Sequence, residues 1–187
     1  MLAVANALET RRALLADLDA LLAHVQAGFD SYVEFAPVGW HPPSVPSDRD
    51  LTIELLSDSE TWALLGLVEH RPVGHVAFLP GRQLEPDDRR RWKERPKIPG
   101  LAHLWQLFVL PQWWGRSVAA TLHDAAVTEM AARGFDQARL YTPTLHIRAR
   151  RFYERRGWTP GEEQWNRTLQ LVVSEYRRPI LPRRSRS

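Results

Sequence analysis

The stretch from residue 101 to residue 133 constrains the fold of this chain more than any other. Residues 101–110 form an apolar run typical of a strand, and residues 115–133 have the periodicity of an amphipathic helix. Between them stands Pro-Gln-Trp-Trp-Gly-Arg-Ser, residues 111–117. Where a strand turns through a glycine into a helix, unpaired backbone N–H groups and the positive end of the helix dipole together suit a phosphate. The sequence therefore predicts an anion-binding turn.

Further elements flank this segment on both sides. Periodicity predicts strands over residues 8–13, 62–69, 72–79, 137–142 and 167–177, and helices over residues 17–35, 48–56 and 146–156. A proline-rich loop, Ala36 to Asp48, follows the first helix, and the polar stretch Gly81 to Gly100 is expected to be a surface insertion or a flap. In a chain of 187 residues this order predicts one mixed α/β domain over residues 1–180, followed by a disordered basic tail over residues 181–187.

Composition excludes several classes of function. The chain has no cysteine, which removes disulfides, thiolate nucleophiles and cysteine-based metal sites, and no metal is expected. No apolar run reaches the roughly 18 residues of a membrane span, and the first apolar residues precede Arg11 and Arg12, unlike a secretory signal. A cytoplasmic location is expected. The net charge of +3 equals the three arginines of the last five residues, so nucleic-acid binding is not favoured.

Two motifs in order resemble one enzyme family. The fingerprints G-x-x-x-x-G-K-[ST] and G-x-G-x-x-G are absent, which disfavours ATP, GTP and NAD. Instead, Gln-Trp-Trp-Gly-Arg-Ser at 112–117 resembles the pyrophosphate loop [RQ]-x-x-G-x-[GA] of the GCN5-related N-acetyltransferase (GNAT) superfamily. Arg-Ala-Arg-Arg-Phe-Tyr-Glu-Arg-Arg-Gly-Trp at 148–158 resembles the later Phe-Tyr helix of that family. The resemblance covers residues 101–160, and the first hundred residues agree in outline.

This resemblance implies the GNAT fold, a mostly antiparallel twisted sheet flanked by helices and splayed at its middle strand. It also implies that acetyl-coenzyme A (acetyl-CoA) is attacked directly by a primary amine in a ternary complex. The residues expected to bind the coenzyme are Phe108, Val109, Gln112, Trp113, Trp114, Gly115, Arg116, Ser117, Val118 and His146. Phe108 and Val109 are expected to act through main-chain groups at a bulge, where N–H donors stabilise an oxyanion. The family prefers Gly or Ala in place of Ser117, and many relatives have Asn in place of His146.

The resemblance also assigns the proton transfers. Tyr153 stands where the family has a tyrosine that protonates the departing thiolate. His103 is the leading candidate for the base that removes a proton from the acceptor ammonium group. Strand alternation predicts that His103 shares a face with Trp105, Leu107 and Val109. The alternative bases are His75 and Glu34.

The acceptor is a small-molecule or peptide amine that the sequence does not identify. Its site is expected between the loop Ala36 to Asp48 and the insertion Gly81 to Gly100. Trp40, Trp92 and Trp105 are candidate walls of that site, although simple packing is the more common reason for a tryptophan at each of these positions. A homodimer is common in the family.

Two other readings compete with an acetyltransferase. Gly-Arg-Ser-Val-Ala at 115–119 approximates the G-x-S-x-G elbow of a serine hydrolase, with Ser117 as nucleophile and Asp136 and His146 following in the required order. The other reading is a non-catalytic module that binds coenzyme A or a nucleic acid. Neither one accounts for both the loop and the Phe-Tyr helix as part of an active site.

Overall fold

A seven-stranded sheet organises the chain. The computed structural model describes residues 7–45, 49–84 and 90–180, and within them the strand order is β1-β2-β3-β4-β5-β7-β6. The strands are β1 (Glu9–Arg12), β2 (Trp62–Val68), β3 (Arg71–Arg82), β4 (Lys97–Val109), β5 (Gln137–Pro143), β6 (Thr159–Asn166) and β7 (Leu171–Pro179). Neighbours pair antiparallel except β4 and β5, which run parallel. The predicted mixed, mostly antiparallel sheet is confirmed, and the predicted tail over residues 181–187 lies outside the described residues.

Helices cover both faces of the sheet. The helices in the described residues are α1 (Leu18–Asp30), α2 (Arg49–Leu56), α3 (Val118–Ala132) and α4 (Ile147–Glu154). The first helix continues as a 3-10 turn over Ser31–Glu34. Helix α1 packs on β3 and β4 from one side, which we call the α1 face, and α3 packs on β2, β3 and β4 from the other side, the α3 face.

Both faces of the sheet are buried. Because side chains alternate along a strand, Leu64 and Val76 pack into the core under α3, whereas Leu65 packs with Leu21 of α1. Every residue of β2 is therefore buried, and the strand appears in the sequence as a continuous apolar run. Gly134, with φ +80°, ends α3 as predicted, and its N–H donates to the Ala131 carbonyl.

The sheet opens between its two middle strands. Among the described residues, β4 pairs with β5 only over Leu101–His103, which lie opposite Gln137–Arg139. The rest of β4, from Leu104 to Val109, pairs with β3 alone. The predicted splay at the middle strand is confirmed, and it leaves one edge of β4 facing a gap.

Side chains cross this gap on both faces of the sheet. On the α3 face, Trp158 Nε1 donates to His123 Nε2 at 2.9 Å. On the α1 face, Trp40 Nε1 donates to the Leu169 carbonyl at 2.7 Å, so the loop after α1 is tied to the turn between β6 and β7. The two halves of the sheet are thus joined by a short backbone ladder and by indole hydrogen bonds.

In the middle of its pairing with β3, strand β4 contains an extra residue, Trp105. Leu104 lies opposite Phe78 and Gln106 lies opposite Ala77, so Trp105 has no counterpart on β3. A bulge of this kind reverses the alternation of side chains beyond it. The two ends of β4 therefore follow opposite face patterns.

The bulge corrects two expectations about β4. Leu107 and Val109 face α3, whereas His103 lies on the α1 face together with Gln106 and Phe108. The prediction that His103 shares a face with Leu107 and Val109 was wrong, because simple alternation does not hold across an inserted residue. The bulge was also expected near Phe108 and Val109, and it lies earlier in the strand.

Two other segments differ from the sequence prediction. Strand β6 was not predicted, because Pro160, Gly161 and its two glutamates are residues that strands disfavour. It is an exposed edge strand paired with β7, a position where such residues are tolerated. The polar insertion is shorter than predicted, since β3 continues to Arg82 and β4 begins at Lys97.

Candidate active site

A cavity of about 430 Å³ opens on the α3 face, where β4 ends and α3 begins. We call it the α3-face cavity. It collects most of the residues predicted to bind the coenzyme, together with the predicted acid: Val109, Trp113, Trp114, Gly115, Ser117, Val118, His146 and Tyr153. Three predicted residues do not line it, since Gln112 and Arg116 are exposed on the turn and Phe108 points to the α1 face. The two motifs separated in sequence thus meet at one site.

The turn into α3 carries a run of unpaired amides. The backbone N–H groups of residues 115–120 donate to no group in the described parts of the chain. Gly115 has φ +74°, and a Cβ built there would meet nothing within 4 Å. Ser117, at φ +62°, precedes α3 without capping it through its side chain. Amides of this kind, beside open space at a helix N-terminus, are suited to bind an anion.

Arginines supply the charge of this cavity. The charged side chains that line it, among the described residues, are Arg148, Arg155 and Arg156. Burial lowers the pKa of Arg148, whose guanidinium lies 3.3 Å from the centre of the Trp114 ring. Sequence reasoning quoted these arginines as part of the Phe-Tyr helix but gave them no role. A positive lining complements the phosphates of a coenzyme.

The indoles of the turn form walls and do not fill the cavity. Trp114 Nε1 donates to the Val109 carbonyl at 2.8 Å, which fixes the ring against the end of β4. Trp113 carries the Arg116 guanidinium 5.1 Å from its ring centre. Both indoles remain half-buried at the rim. The space in front of Gly115 stays open.

His146 is packed among aromatic rings at the entrance to α4. Its ring stacks on Phe35 with centroids 4.8 Å apart and meets the edge of Tyr32 at 5.3 Å. Burial, and then the charge of Arg148, lower the pKa of His146 to about 4. A neutral imidazole therefore lines the cavity at pH 7.

Tyr153 is held in the floor of the α3-face cavity. The residue is buried, and its ring meets Phe152 and Trp158 edge to face. No hydrogen bond to the described residues engages its hydroxyl. Burial raises the pKa of the Tyr153 phenol, which keeps its proton at neutral pH. The phenol is thus a proton donor lying within the cavity.

A second cavity, of about 490 Å³, opens on the α1 face. We call it the α1-face cavity. Two of the three tryptophans predicted as walls, Trp92 and Trp105, line it, whereas Trp40 instead bonds to Leu169. Phe108 forms another wall, and its position is fixed by Gly28, where a Cβ would lie 2.3 Å from the ring.

His103 lies at one end of the α1-face cavity. Burial, and then the charge of Arg139, lower the pKa of His103 to about 3. Its ring stacks on Trp92 with centroids 5.3 Å apart. Leu107, which lines the other cavity, is four residues further along β4. Because Trp105 is an inserted residue, the two positions lie opposite Leu79 and Val76 of β3, three strand steps or about 10 Å apart.

The alternative bases lie elsewhere. His75 is fully buried, and its two ring nitrogens contact His24 Nδ1 at 3.1 Å and Gln106 Oε1 at 2.9 Å. Burial, and then the His24 imidazole, lower the pKa of His75 to about 3. It reaches the α1-face cavity only through Gln106, which lines it. Glu34 is exposed at the end of the 3-10 turn and lines neither cavity.

The serine hydrolase reading was wrong. Ser117 and His146 both line the α3-face cavity, but Asp136 precedes β5, where its N–H donates to the Gly100 carbonyl. His146 follows the other end of that strand, about 20 Å away. Asp136 therefore lies too far from His146 to orient its imidazole as a triad requires.

The comparisons with known proteins agree with this geometry. The sequence model of the acetyltransferase (GNAT) family matches residues 25–158. The chain belongs to this family. It is accordingly an enzyme that transfers an acetyl group from acetyl-CoA, and not a non-catalytic module. No curated protein sequence is significantly similar to the chain.

Solved structures of other acetyltransferases share the fold. The PaiA N-acetyltransferase of Thermoplasma acidophilum, solved with coenzyme A, is 15% identical over 90% of this chain and 98% of its own, with a TM-score of 0.68. An N-acetyltransferase of Staphylococcus aureus is 14% identical over 94% of this chain and 99% of its own, at 0.68. The ribosomal-protein-S18-alanine N-acetyltransferase of Escherichia coli is 11% identical over 97% and 99%, at 0.64.

Across residues 7–45, 49–84 and 90–180, no helix combines the length and apolarity that crossing a bilayer requires. In the same ranges, no three His, Asp or Glu side chains come close enough together to hold a metal ion.

Proposed function

We propose that this acetyltransferase binds the pyrophosphate of acetyl-CoA on the amides of residues 115–120 and acetylates a primary amine held in the α1-face cavity. The observation that carries the proposal is the run of six amides without a partner in the described chain, beside the open space at Gly115. Arg148, Arg155 and Arg156 supply the positive charge that three phosphate groups require.

The reaction makes one C–N bond, breaks one C–S bond and needs three proton movements. The ammonium group loses one proton, the amine nitrogen attacks the thioester carbonyl, and the C–S bond breaks. The departing thiolate takes the phenol proton of Tyr153, which burial keeps protonated until that moment, and the second proton lost by the new amide nitrogen restores the phenol. The gap beside β4, from Leu104 to Val109, offers main-chain groups that no neighbouring strand of the described sheet uses on that side.

The acceptor must lose a proton before it attacks. His103 as the receiving base remains a prediction, supported by its place in the α1-face cavity and by a neutral imidazole. A pKa of about 3 gives this imidazole little driving force to take a proton from an ammonium group, whose pKa is near 10. His103 can act as this base only if it passes the proton on to another group or to water.

The acceptor class, the oligomeric state and the location of the enzyme complete the proposed function. The acceptor is a small-molecule or peptide amine, and a homodimer stays a prediction. A cytoplasmic location belongs to the proposal, because coenzyme A thioesters are made and used in that compartment.

The test is calorimetric binding of acetyl-CoA to Gly115→Glu and to Gly134→Glu. Both glycines have positive φ and open space at the Cβ position, and they stand at opposite ends of α3, so backbone strain is matched. We expect Gly115→Glu to weaken acetyl-CoA binding at least about 30-fold, because its carboxylate stands where the pyrophosphate should bind. Gly134→Glu is expected to bind like the wild type. Equal affinity of the two variants contradicts the pyrophosphate site.

A further inference from the structure

A tyrosine and a glutamate on neighbouring strands form a hydrogen-bonded pair beside the α1-face cavity. Tyr141 of β5 lies directly opposite Glu175 of β7, so the two side chains project from the same face of the sheet. The Tyr141 hydroxyl donates to Glu175 Oε2 at 2.8 Å. Tyr141 lines the cavity and stays partly exposed, and Val173, two residues before Glu175, lines it as well. The cavity therefore extends to the strand toward which the hydroxyl points.

The carboxylate determines the hydrogen-bonding role of the phenol oxygen. Burial opposes the charge of Glu175, but hydrogen bonds from Arg177 and Tyr141 lower the pKa of this carboxyl group. An ionised carboxylate can only accept, so the proton in the 2.8 Å contact belongs to Tyr141. No described residue donates to the Tyr141 oxygen. Its lone pairs are thus available to a ligand, and its own proton is already engaged.

Tyr141 stands where the sheet opens. The last pair between β4 and β5 is His103 with Arg139, and Tyr141 is the next residue of β5 on that face. Its ring centroid lies 6.0 Å from that of His103 and 5.5 Å from the Arg139 guanidinium, in agreement with a shared face. Beyond this pair the gap beside β4 begins. An amine that approaches from the α1 face toward a thioester in the gap therefore passes the phenol.

The charges around the phenol favour a neutral amine. The charged groups that act on Tyr141 are Arg139, Glu175 and Arg177, two positive and one negative. His103 adds no charge, because burial, and then Arg139, lower its pKa to about 3. An ammonium group would bring a third positive charge to this half-buried position, which disfavours the protonated form. The free amine has two N–H donors and one lone pair, and a donor is what the phenol oxygen lacks.

Resting on the proposed function, we infer that Tyr141 binds the amine nitrogen of the acceptor and that Glu175 positions Tyr141 for this contact. One N–H of the neutral amine donates to the Tyr141 oxygen, which leaves the nitrogen lone pair free to attack the thioester carbonyl. Tyr141 keeps its own proton directed at Glu175, so it holds the nucleophile without taking a proton from it. The contact uses the amino group alone, which every primary amine acceptor shares.

Ethylamine is the probe, because it presents that amino group and little else. Thiol release at saturating acetyl-CoA gives kcat/KM for ethylamine. In Tyr141→Phe we expect this value to fall at least about tenfold, through loss of one hydrogen bond, and by the same factor at pH 7 and at pH 9. The calorimetric affinity for acetyl-CoA should stay within twofold of the wild type. A loss below twofold, or a loss much larger at pH 7 than at pH 9, overturns the inference.

A double variant tests whether Glu175 acts through Tyr141. In Glu175→Gln the amide can donate to the phenol oxygen as well as accept from it, so we expect kcat/KM for ethylamine to fall about threefold. Adding this change to Tyr141→Phe should cause no further loss. Glu163→Gln is the matched control, the same substitution at an exposed position on β6, and should stay within twofold of the wild type. Additive losses remove Glu175 from its positioning role.

A binding measurement without turnover uses the tyrosine signals. The chain has four tyrosines, so labelling their Cζ atoms with carbon-13 gives four resonances, and the one absent from Tyr141→Phe is that of Tyr141. With ethylamine added at pH 9 to enzyme saturated in coenzyme A, we expect the Tyr141 resonance to shift to a limit. The Tyr176 resonance should not move, since that ring is fully buried in the core. Tetramethylammonium, a cation without an N–H, should leave both resonances in place.

The two measurements keep this inference distinct from the proposed function. A Tyr141 shift that reaches a limit without any thiol release supports the inference, and the proposed reaction then fails. Thiol release that does not depend on Tyr141 supports the reaction and overturns the inference. An unmoved Tyr141 resonance, or an equal shift with tetramethylammonium, also overturns it.

Discussion

The two cavities border the same strand but are assembled differently. The α3-face cavity comes from two continuous stretches, residues 107–120 and 146–156. The α1-face cavity draws on many separated parts of the chain, from Val25 in α1 to Val173 in β7. The residues of the first cavity can therefore be recognised from their spacing in the sequence. The residues of the second come together only when the chain has folded. The comparison explains why the coenzyme half of this enzyme is easier to recognise than the acceptor half.

Their chemistry differs in the same way. In the described chain, the α3-face cavity joins unpaired amides to arginines, which are general devices for phosphates. The α1-face cavity joins aromatic walls to a buried imidazole, a combination with no general ligand class of its own. A family match therefore carries more information about the first cavity than about the second.

The loss of folding stability in acid should be the largest of the expected effects. More of it should come from imidazoles on the α1 face than from those on the α3 side. Four buried imidazoles and the half-buried His146 have a lowered pKa, three on the α1 face and two lining or facing the α3 side: His24, His75, His103, His123 and His146. The unfolded chain binds their protons below about pH 6.5, and the folded chain binds them only at lower pH. Stability is thus present above about pH 6.5 and is lost as the pH falls, by up to about 1.4 kcal/mol per pH unit for each of His75 and His103, whose folded pKa is about 3.

Urea unfolding at several pH values measures this loss. The slope of the unfolding free energy between pH 6 and pH 5 gives the number of extra protons bound by the unfolded chain, and we expect several. His75→Gln should reduce that number by about one. A slope near zero in this interval contradicts the burial of neutral imidazoles on both faces.

Tyr153→Phe should have the next largest effect. The phenol lies in the α3-face cavity, and its removal takes away a proton donor without opening space in the core. We expect kcat to fall about 100-fold while acetyl-CoA affinity changes less than threefold. The matched deletion in the other cavity is Tyr141→Phe, expected to act mainly on KM for the amine. An unchanged kcat in Tyr153→Phe removes this residue from its proposed role.

Gly28→Ala should have a smaller effect confined to the α1-face cavity. The new Cβ would lie 2.3 Å from Cδ1 of Phe108, so this wall must move. We expect KM for the amine to rise about tenfold, or about 1.4 kcal/mol, with acetyl-CoA affinity unchanged. Steady-state kinetics and calorimetry give the two values. If KM stays constant and the protein becomes more stable, as Gly to Ala usually makes a helix by up to about 1 kcal/mol, then Phe108 is not fixed by this contact.

The sequence correctly predicted the elements that depend on local periodicity and turn chemistry. The strand, the turn and the helix from residue 101 to residue 133 were all found, although α3 begins at Val118 because Ser117 adopts a left-handed conformation. The hairpin of β2 and β3 was also found. These elements have their own propensity and apolar pattern, so tertiary contacts did not override the prediction.

The sequence could not predict features that tertiary pairing decides. The bulge at Trp105 is visible only in the register between β3 and β4, and it alone determines which cavity His103 lines. Strand β6 forms because β7 offers an edge, against the preferences of its own residues. The contact of Gly28 with Phe108 joins positions 80 residues apart and leaves no local sequence signal.

The short ladder between β4 and β5 has a mechanical consequence. Three residue pairs hold the two strands together. Beyond them, hydrogen bonds from the indoles of Trp40 and Trp158 bridge the opening. Side chains can be exchanged without breaking a strand, whereas a backbone ladder cannot be widened by a point mutation. The aperture between the two leaves of the sheet can therefore change by exchange of Trp40, which lies in the loop after α1, more readily than by exchange of Trp158, which belongs to the main core.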